Sequence, residues 1–583
     1  AFDEVHFLLD KSLQVGDRIR IQSSGANGLE YGVDFLEIEE VPAPIDQPDN
    51  AVSVEDYGAY PDDGVDDLDA IRRAVADADK RGMDVYFPEG TFHLSGMWNL
   101  GGSNMKITGA GMWYTNLQFT SDQKFGGGIA GGNPKAGDGS TPDGYCKNIE
   151  FCNMYINSNL CSRYDQMAVY KCFMDIFGEG SVIHDVWEEH FECGFWLGDY
   201  NGSMDYSDGL KIIDCRIRNN FADGVNFCMG TSNAVVYNCS IRNNGDDGLA
   251  MWNNSSSEAG TAHDETNNIF AYNTIDFIWR AGGIAIYGGE GHKVYNNYIC
   301  DTFMASGIHL NTEFAGYKFG NTKEILFENN IMVRCGSNAD SWGRSYGAIM
   351  LEGEVRNLTF KNNQIYDAQG DGIFINGCGE GVKFIDTKIF GSGYDGQDIT
   401  WSCNPHLGAA VRVSNDKATF DGLEIANVAW KGENTPYFFS NGKMSNATNV
   451  TVYDDDTTYE VPGYPDPVNG QGGGIVNPLE GITGYDLVVT GLSWANAEGS
   501  TVLKNGDKVT FTIQIKNDSN VDIPAEVKIP TKVTIDDKTS LRNSKFKDGL
   551  KAGETATLTM TSTWTAVKGG HTVTATVDDT NKL

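Results

Sequence analysis

The sequence predicts an all-β chain built around a right-handed parallel β-helix, with a β-sandwich behind it. Three observations carry that prediction. First, Arg218-Asn219-Asn220-x-x-Asp223-Gly224 returns 24 residues later as Arg242-Asn243-Asn244-x-x-Asp247-Gly248, and Cys215/Cys239 and Ile217/Ile241 keep the same offset. A fixed period in this range is the mark of stacked structural units. Second, a strand closing on isoleucine recurs at Ile217, Ile241, Ile275, Ile299, Ile331, Ile365 and Ile389, at intervals of 24, 34, 24, 32, 34 and 24 residues. A glycine-centred turn runs in parallel at Gly224, Gly248, Gly283, Gly307, Gly347 and Gly372. Third, the last hundred residues alternate apolar and polar side chains strictly, as in Lys508–Lys516, the pattern of short antiparallel strands. At 583 residues the chain exceeds one ordinary core, so several domains or one elongated repeat are expected.

Residues 1–47 contain three strand-like runs, Val5–Leu9, Arg18–Gln22 and Phe35–Val41, too few for an independent sandwich. They are expected to belong to a larger carbohydrate-binding-type module or to pack on the next domain, with Pro42, Pro44 and Pro48 as a linker. Residues 48–470 form the β-helix. Its opening holds a helix with Leu68, Ile71 and Val75 on one face, Asp66 or Asp67 to cap its start and Gly82 to end it. Such a helix covers the first coil, whose unpaired strand edge is otherwise exposed. Insertions at Asn253–Asn267 and Phe314–Thr322 lengthen individual coils and should build cleft walls. Repeated asparagines at 273, 297, 329 and 363 predict hydrogen-bonded asparagine stacks at the turns. Residues 471–583 are a glycine-rich linker and an immunoglobulin-like sandwich, with strands at Lys508–Lys516, Thr555–Thr561 and Gly570–Val577.

Formal charge is −37, from 80 acidic and 43 basic residues. Such a surface repels polyanions, which excludes nucleic acid as a partner and favours a neutral polymer. No apolar run reaches the ~20 residues a membrane span needs, and a secreted, extracellular, monomeric protein is expected, any signal segment having been removed. The 12 cysteines lie in the β-helix, and mostly buried thiols are expected there, with a Cys215–Cys239 disulfide as the alternative.

In a β-helix, residues one period apart lie about 4.8 Å from each other. Asp223 and Asp247 thereby become a vertical pair, and Asp246 stands beside them. A lone Asp-Gly is an ordinary turn, and Asp371-Gly372 is read that way. Asp246-Asp247 stacked on a third carboxylate is different, because like charges this close raise at least one pKa. A site built only for stability would carry a neutral residue there, as other coils do at Gly282 and Ser306. One protonated acid beside ionised partners is what glycoside hydrolysis requires. Asp246 is then the general acid, and Asp223 and Asp247 activate water. Trp252, Trp279, Tyr287 and Trp196 are candidate sugar-stacking residues, with His309 and Glu313 as polar contacts and His263 and Asp264 overhanging the cleft.

The helix and strand of residues 51–120 resemble the opening segment of pectin-lyase-like right-handed β-helices. An aspartate followed some twenty residues later by Asp-Asp is similar to polygalacturonases, but their Asn-Thr-Asp, Gly-His-Gly and Arg-Ile-Lys motifs are missing. The Ala-Asp-Gly and Asn-Asn-Gly-Asp-Asp-Gly spacing resembles glycoside hydrolase family 87, the bacterial α-1,3-glucanases (mutanases) and mycodextranases, over roughly residues 1–480. That resemblance implies an N-terminal sandwich, three essential aspartates at Asp223, Asp246 and Asp247, and inverting endo-hydrolysis of α-1,3-glucan or nigeran. No cofactor is required by that chemistry. Structural calcium is compatible with Asp454-Asp455-Asp456 or Asp62-Asp63. Competing readings are a calcium-dependent lyase, in which the stacked Arg218 and Arg242 serve as base, and a glycan-binding surface adhesin.

Overall fold

The computed structural model describes residues 3–22, 32–33, 35–121, 126–132, 144–160, 171–198, 205–228, 230–253, 264–312, 317–337, 344–393, 408–413, 417–429, 438–440, 446–454, 456–465, 487–517 and most of 523–577. Two compact units divide the chain, Ala1–Gly474 and Ile475–Leu583.

The first unit is a parallel β-helix. Among the described residues, one face is a 12-stranded parallel sheet, and the other two faces join into a 25-stranded sheet through the long strands Ile149–Ser158 and Val182–Glu189. The 24-residue offset is the register itself: Ile217 pairs with Ile241, and Val225 with Leu249. Inward side chains form columns, including the stacked rings of Phe327, Phe360 and Phe384, 4.3 and 4.6 Å apart.

Three expected column members are displaced by one residue. Ile299 pairs with Met332, not Ile331, and Met332 with Ile365. Asn330, not Asn329, continues the asparagine ladder, and Ala348, not Gly347, stands opposite Gly372. The true core intervals there are 33 and 33 residues. Ile331 looks outward while the flexible thioether of Met332 fills the core, since side-chain direction in a strand reverses with every residue.

The capping helix spans Leu68–Arg81, with Leu68, Ile71 and Val75 buried and Gly82 ending it at φ 63°. Asp66 accepts from the Leu68 N–H at 3.3 Å, whereas Asp67 accepts from Tyr60 and His93 N–H groups.

The N-terminal expectation needs correction in its strands, while the alternative that these residues pack on the next domain holds. No strand occurs among the described residues before Ala51. Residues 3–7 and 35–39 instead lie extended across the outside of the coils. Glu39 takes both terminal nitrogens of Arg216 at 2.8 and 2.7 Å, Glu4 meets Arg218 and Glu37 meets Arg242. His6 stacks on Trp187 with centroids 3.9 Å apart. The alternation that suggested a strand is met by side-chain pairing to the helix wall, without a backbone ladder.

The second unit has antiparallel sheets built on Leu487–Asn496, Lys508–Asn517 and Thr555–Thr559, and on Ile529–Ile535, Thr539–Phe546 and Val573–Val577. Val509, Phe511, Ile513, Ile515 and Val533 fill its core. Asp455 and the glycine-rich linker lie outside the described residues. The ten described cysteines are buried thiols, Cys215 and Cys239 included. Among the described residues no helix is long and apolar enough to cross a membrane.

Candidate active site

The repeated phrase decodes position by position. Arg218 and Arg242 end strands and point outward. Asn219 and Asn243 turn the chain at φ 54° and 57°, a left-handed conformation that asparagine tolerates. They also bond each other, Asn243 Nδ2 to Asn219 Oδ1 at 2.6 Å. Asn220 and Asn244 point inward, and the Asn220 N–H and Nδ2 both donate to Asn244 Oδ1. Asp223 and Asp247 then stand on the outer face just before the strands Val225–Cys228 and Leu249–Trp252. Gly224 and Gly248 let successive turns close up: a Cβ on Gly248 would lie 2.6 Å from the Gly283 carbonyl.

The result is a compact carboxylate cluster. One oxygen from each of Asp223, Asp246 and Asp247 lies within 4.8 Å of the others. Asp223 and Asp247 are buried, and Asp246 keeps 28% side-chain exposure. Asp247 accepts at both oxygens, from the Gly282 N–H at 2.8 Å and the Tyr287 hydroxyl at 3.0 Å. Asp223 Oδ1 accepts from the Asp247 N–H at 3.3 Å. Burial, with the Asp246 and Asp223 charges adding to it, holds the Asp247 carboxyl well above the usual carboxylate range. The Gly282 and Tyr287 donors oppose that shift. Burial and the Asp247 charge likewise push the Tyr287 phenol up, so it stays a donor.

The predicted aromatic residues gather around this cluster. Trp196 and Trp252 meet edge to face, 5.6 Å between centroids. Tyr287 lies 6.1 Å from His309. Trp279 packs over Gly245, where a Cβ would come 2.3 Å from its ring, and so walls the side of Asp246. His309 Nε2 donates to the Glu352 carboxylate at 2.9 Å. Glu313 and His263 lie outside the described residues; Asp264 is exposed, with its Oδ1 accepting from Asn253.

Arg218 and Arg242 are not at the carboxylates. Both pair with Glu4 and Glu37 on another face, which removes them as a base for the lyase reading. The arginine that does reach the site is Arg280, 3.5 Å from Asp246. Sequence reasoning missed it, although the 34-residue offset of Arg242 and Asp276, carried forward, sets Arg280 opposite Asp246. Tyr317, 5.3 Å from Tyr287, was also missed, since it sits in an insertion that has no repeat.

The chain matches the family described as the α-1,3-glucanase catalytic domain D2 over residues 66–350. A solved structure described as the Agl-KA catalytic domain is 44% identical, covering 74% of this chain and 73% of that one, with a TM-score of 0.65. The catalytic unit of a thermostable GH87 α-1,3-glucanase from Streptomyces thermodiastaticus strain HF3-3 is 22% identical over 73% of this chain and 74% of that one, with a TM-score of 0.54. A GH87 α-1,3-glucanase catalytic domain with one aspartate replaced by alanine, in complex with tetrasaccharides, is 20% identical over 71% and 70%, with a TM-score of 0.52. These last two share the fold. Comparison with curated proteins finds no match.

Proposed function

This chain belongs to glycoside hydrolase family 87, the α-1,3-glucanases, and from that premise we propose that it is a secreted enzyme cutting α-1,3-glucan internally, with inversion, through Asp223, Asp246 and Asp247. The observation that carries the reading is the unequal treatment of three neighbouring carboxylates. Both oxygens of Asp247 receive donors, which oppose the rise that burial imposes and suit the carboxylate as an acceptor once it is ionised. Together with Asp223, one coil away, it can accept both hydrogen bonds of a water, aim its oxygen at the anomeric carbon and take up one of its protons, the other staying on the new anomeric hydroxyl. Asp246 stands at the open edge, where a glycosidic oxygen can arrive, and delivers the proton to the leaving sugar. Trp196, Trp252 and Tyr287 offer ring faces and edges to pyranose rings. A related catalytic domain binds nigerose, a saccharide of the class expected to occupy this groove. Nothing in these steps requires a cofactor.

The closest carboxylate oxygens, within 4.8 Å, are tighter than the ~6.5–9.5 Å usual for inverting pairs. Stereochemistry is therefore the decisive measurement. Following product anomers by NMR during hydrolysis of α-1,3-glucan should show inversion; retention overturns the division of labour. Running nigeran in parallel assigns the polymer, and the product size distribution separates internal from terminal attack.

Tyr287→Phe should lower turnover by roughly tenfold or more, since a hydrogen bond to a charged group contributes about 1.5–3 kcal/mol. The hydroxyl stabilises ionised Asp247, so its loss raises that pKa further. The acid limb of the rate profile should then move to higher pH. An unmoved limb would show that Tyr287 does not act through Asp247.

A further inference from the structure

A second chemically active cluster lies on the larger sheet, among strands that do not carry the catalytic aspartates. Glu150 and Cys152 are two residues apart on Ile149–Ser158 and therefore share one face. His184, on the next coil, sits directly opposite Cys152. One donor atom from each of the three lies within 4.8 Å of the others.

We propose that Glu150, Cys152 and His184 bind a divalent cation of the zinc class. The donor set is mixed: a carboxylate, a thiol and an imidazole, which suits a borderline-soft ion better than calcium or magnesium. The imidazole is also aimed. Its Nδ1 is held by Asp185 at 2.7 Å, leaving Nε2 facing Glu150 Oε1 at 3.2 Å. A carboxylate on the far nitrogen is how metal-ligating histidines are oriented. Two light-atom ligands 2.0–2.1 Å from a tetrahedral ion stand roughly 3.3 Å apart, close to that spacing. Glu150 keeps 29% side-chain exposure, which gives an ion a way in, while His184 keeps 5%. The Cys152 sulfur already accepts from Asn153 Nδ2 at 3.2 Å, so it is positioned before any ion arrives. The competing occupant is Lys106, directly opposite Glu150 in register, with its ammonium 2.6 Å from Oε1. Its side chain is 34% exposed and can swing outward as the ion enters. Binding releases the protons of the thiol and imidazole. An ion here would tie two successive coils together.

The test is titration of the chelator-stripped full chain with Co2+ and Zn2+. One equivalent of Co2+ should produce a thiolate-to-cobalt absorption band that disappears in Cys152→Ser. Asp185→Asn, which keeps a residue suited to the left-handed backbone at φ 50°, should weaken Zn2+ binding by about 10–100-fold. Lys106→Ala should strengthen it. Hydrolysis of α-1,3-glucan, for which none of these residues is needed, reports that each variant is folded. No thiolate band in the parent chain, a band that persists in Cys152→Ser, or Zn2+ affinity unchanged by both Asp185→Asn and Lys106→Ala overturns the site.

Discussion

Asp246→Asn should lower hydrolysis of insoluble α-1,3-glucan by roughly 10²–10⁴, the usual contribution of a positioned general acid. The loss should be smaller on an aryl glycoside whose leaving group needs no proton. Asp247→Asn should abolish both activities, because water activation is needed whatever the leaving group. The contrast separates the two neighbours in a way that a single inactive variant does not. Equal losses on both substrates for Asp246→Asn would remove its role as acid, and full activity on the polysaccharide would remove it from the mechanism.

Asn297→Ala should cost roughly 4 kcal/mol of stability in the β-helix. Asn297 is buried. Its Oδ1 accepts from both Asn273 N–H and Asn273 Nδ2 at 3.0 Å, and its Nδ2 donates to the Phe270 carbonyl and to Asn330 Oδ1 at 2.9 Å. Alanine leaves several of these groups dry and unpaired, at about 1–3 kcal/mol each before relaxation. The measurement is the urea midpoint of the first unit's transition. A loss below about 1 kcal/mol would mean that water or a side-chain shift replaces the ladder.

How much of this was readable beforehand follows from how directly each feature depends on the repeat. The 24-residue offset alone made neighbours of Asp223 and Asp247, because their two coils contain no insertion. Where coils lengthen, a one-residue error in counting flips a side chain from core to surface. That is why Ile331, Asn329 and Gly347 were assigned to columns held by Met332, Asn330 and Ala348. Arg280 lay within reach of the same counting. Tyr317 did not, since an inserted residue has no counterpart one period away. The N-terminal segment misled for another reason. Leu36-Glu37-Ile38-Glu39 alternates as a strand does, but here the charged side faces arginines on the coils and Leu36 and Ile38 are exposed. Period two reports an extended backbone and does not say what pairs with it.

That segment has a consequence for how the molecule opens. A stack of coils is nearly one-dimensional, each coil touching only its neighbours, so it can fray or loosen one rung at a time. Residues 3–6 and 35–39 run across the rungs. They engage Trp187 and His190 on one coil, Arg216 and Arg218 on the next, Arg242 on a third and Phe277 on a fourth. Opening any one of these coils means breaking contacts shared with the others. The stretch that carries Asp223, Asp246 and Asp247 should therefore exchange its amide hydrogens as one cooperative block, while coils beyond the reach of the strap exchange individually.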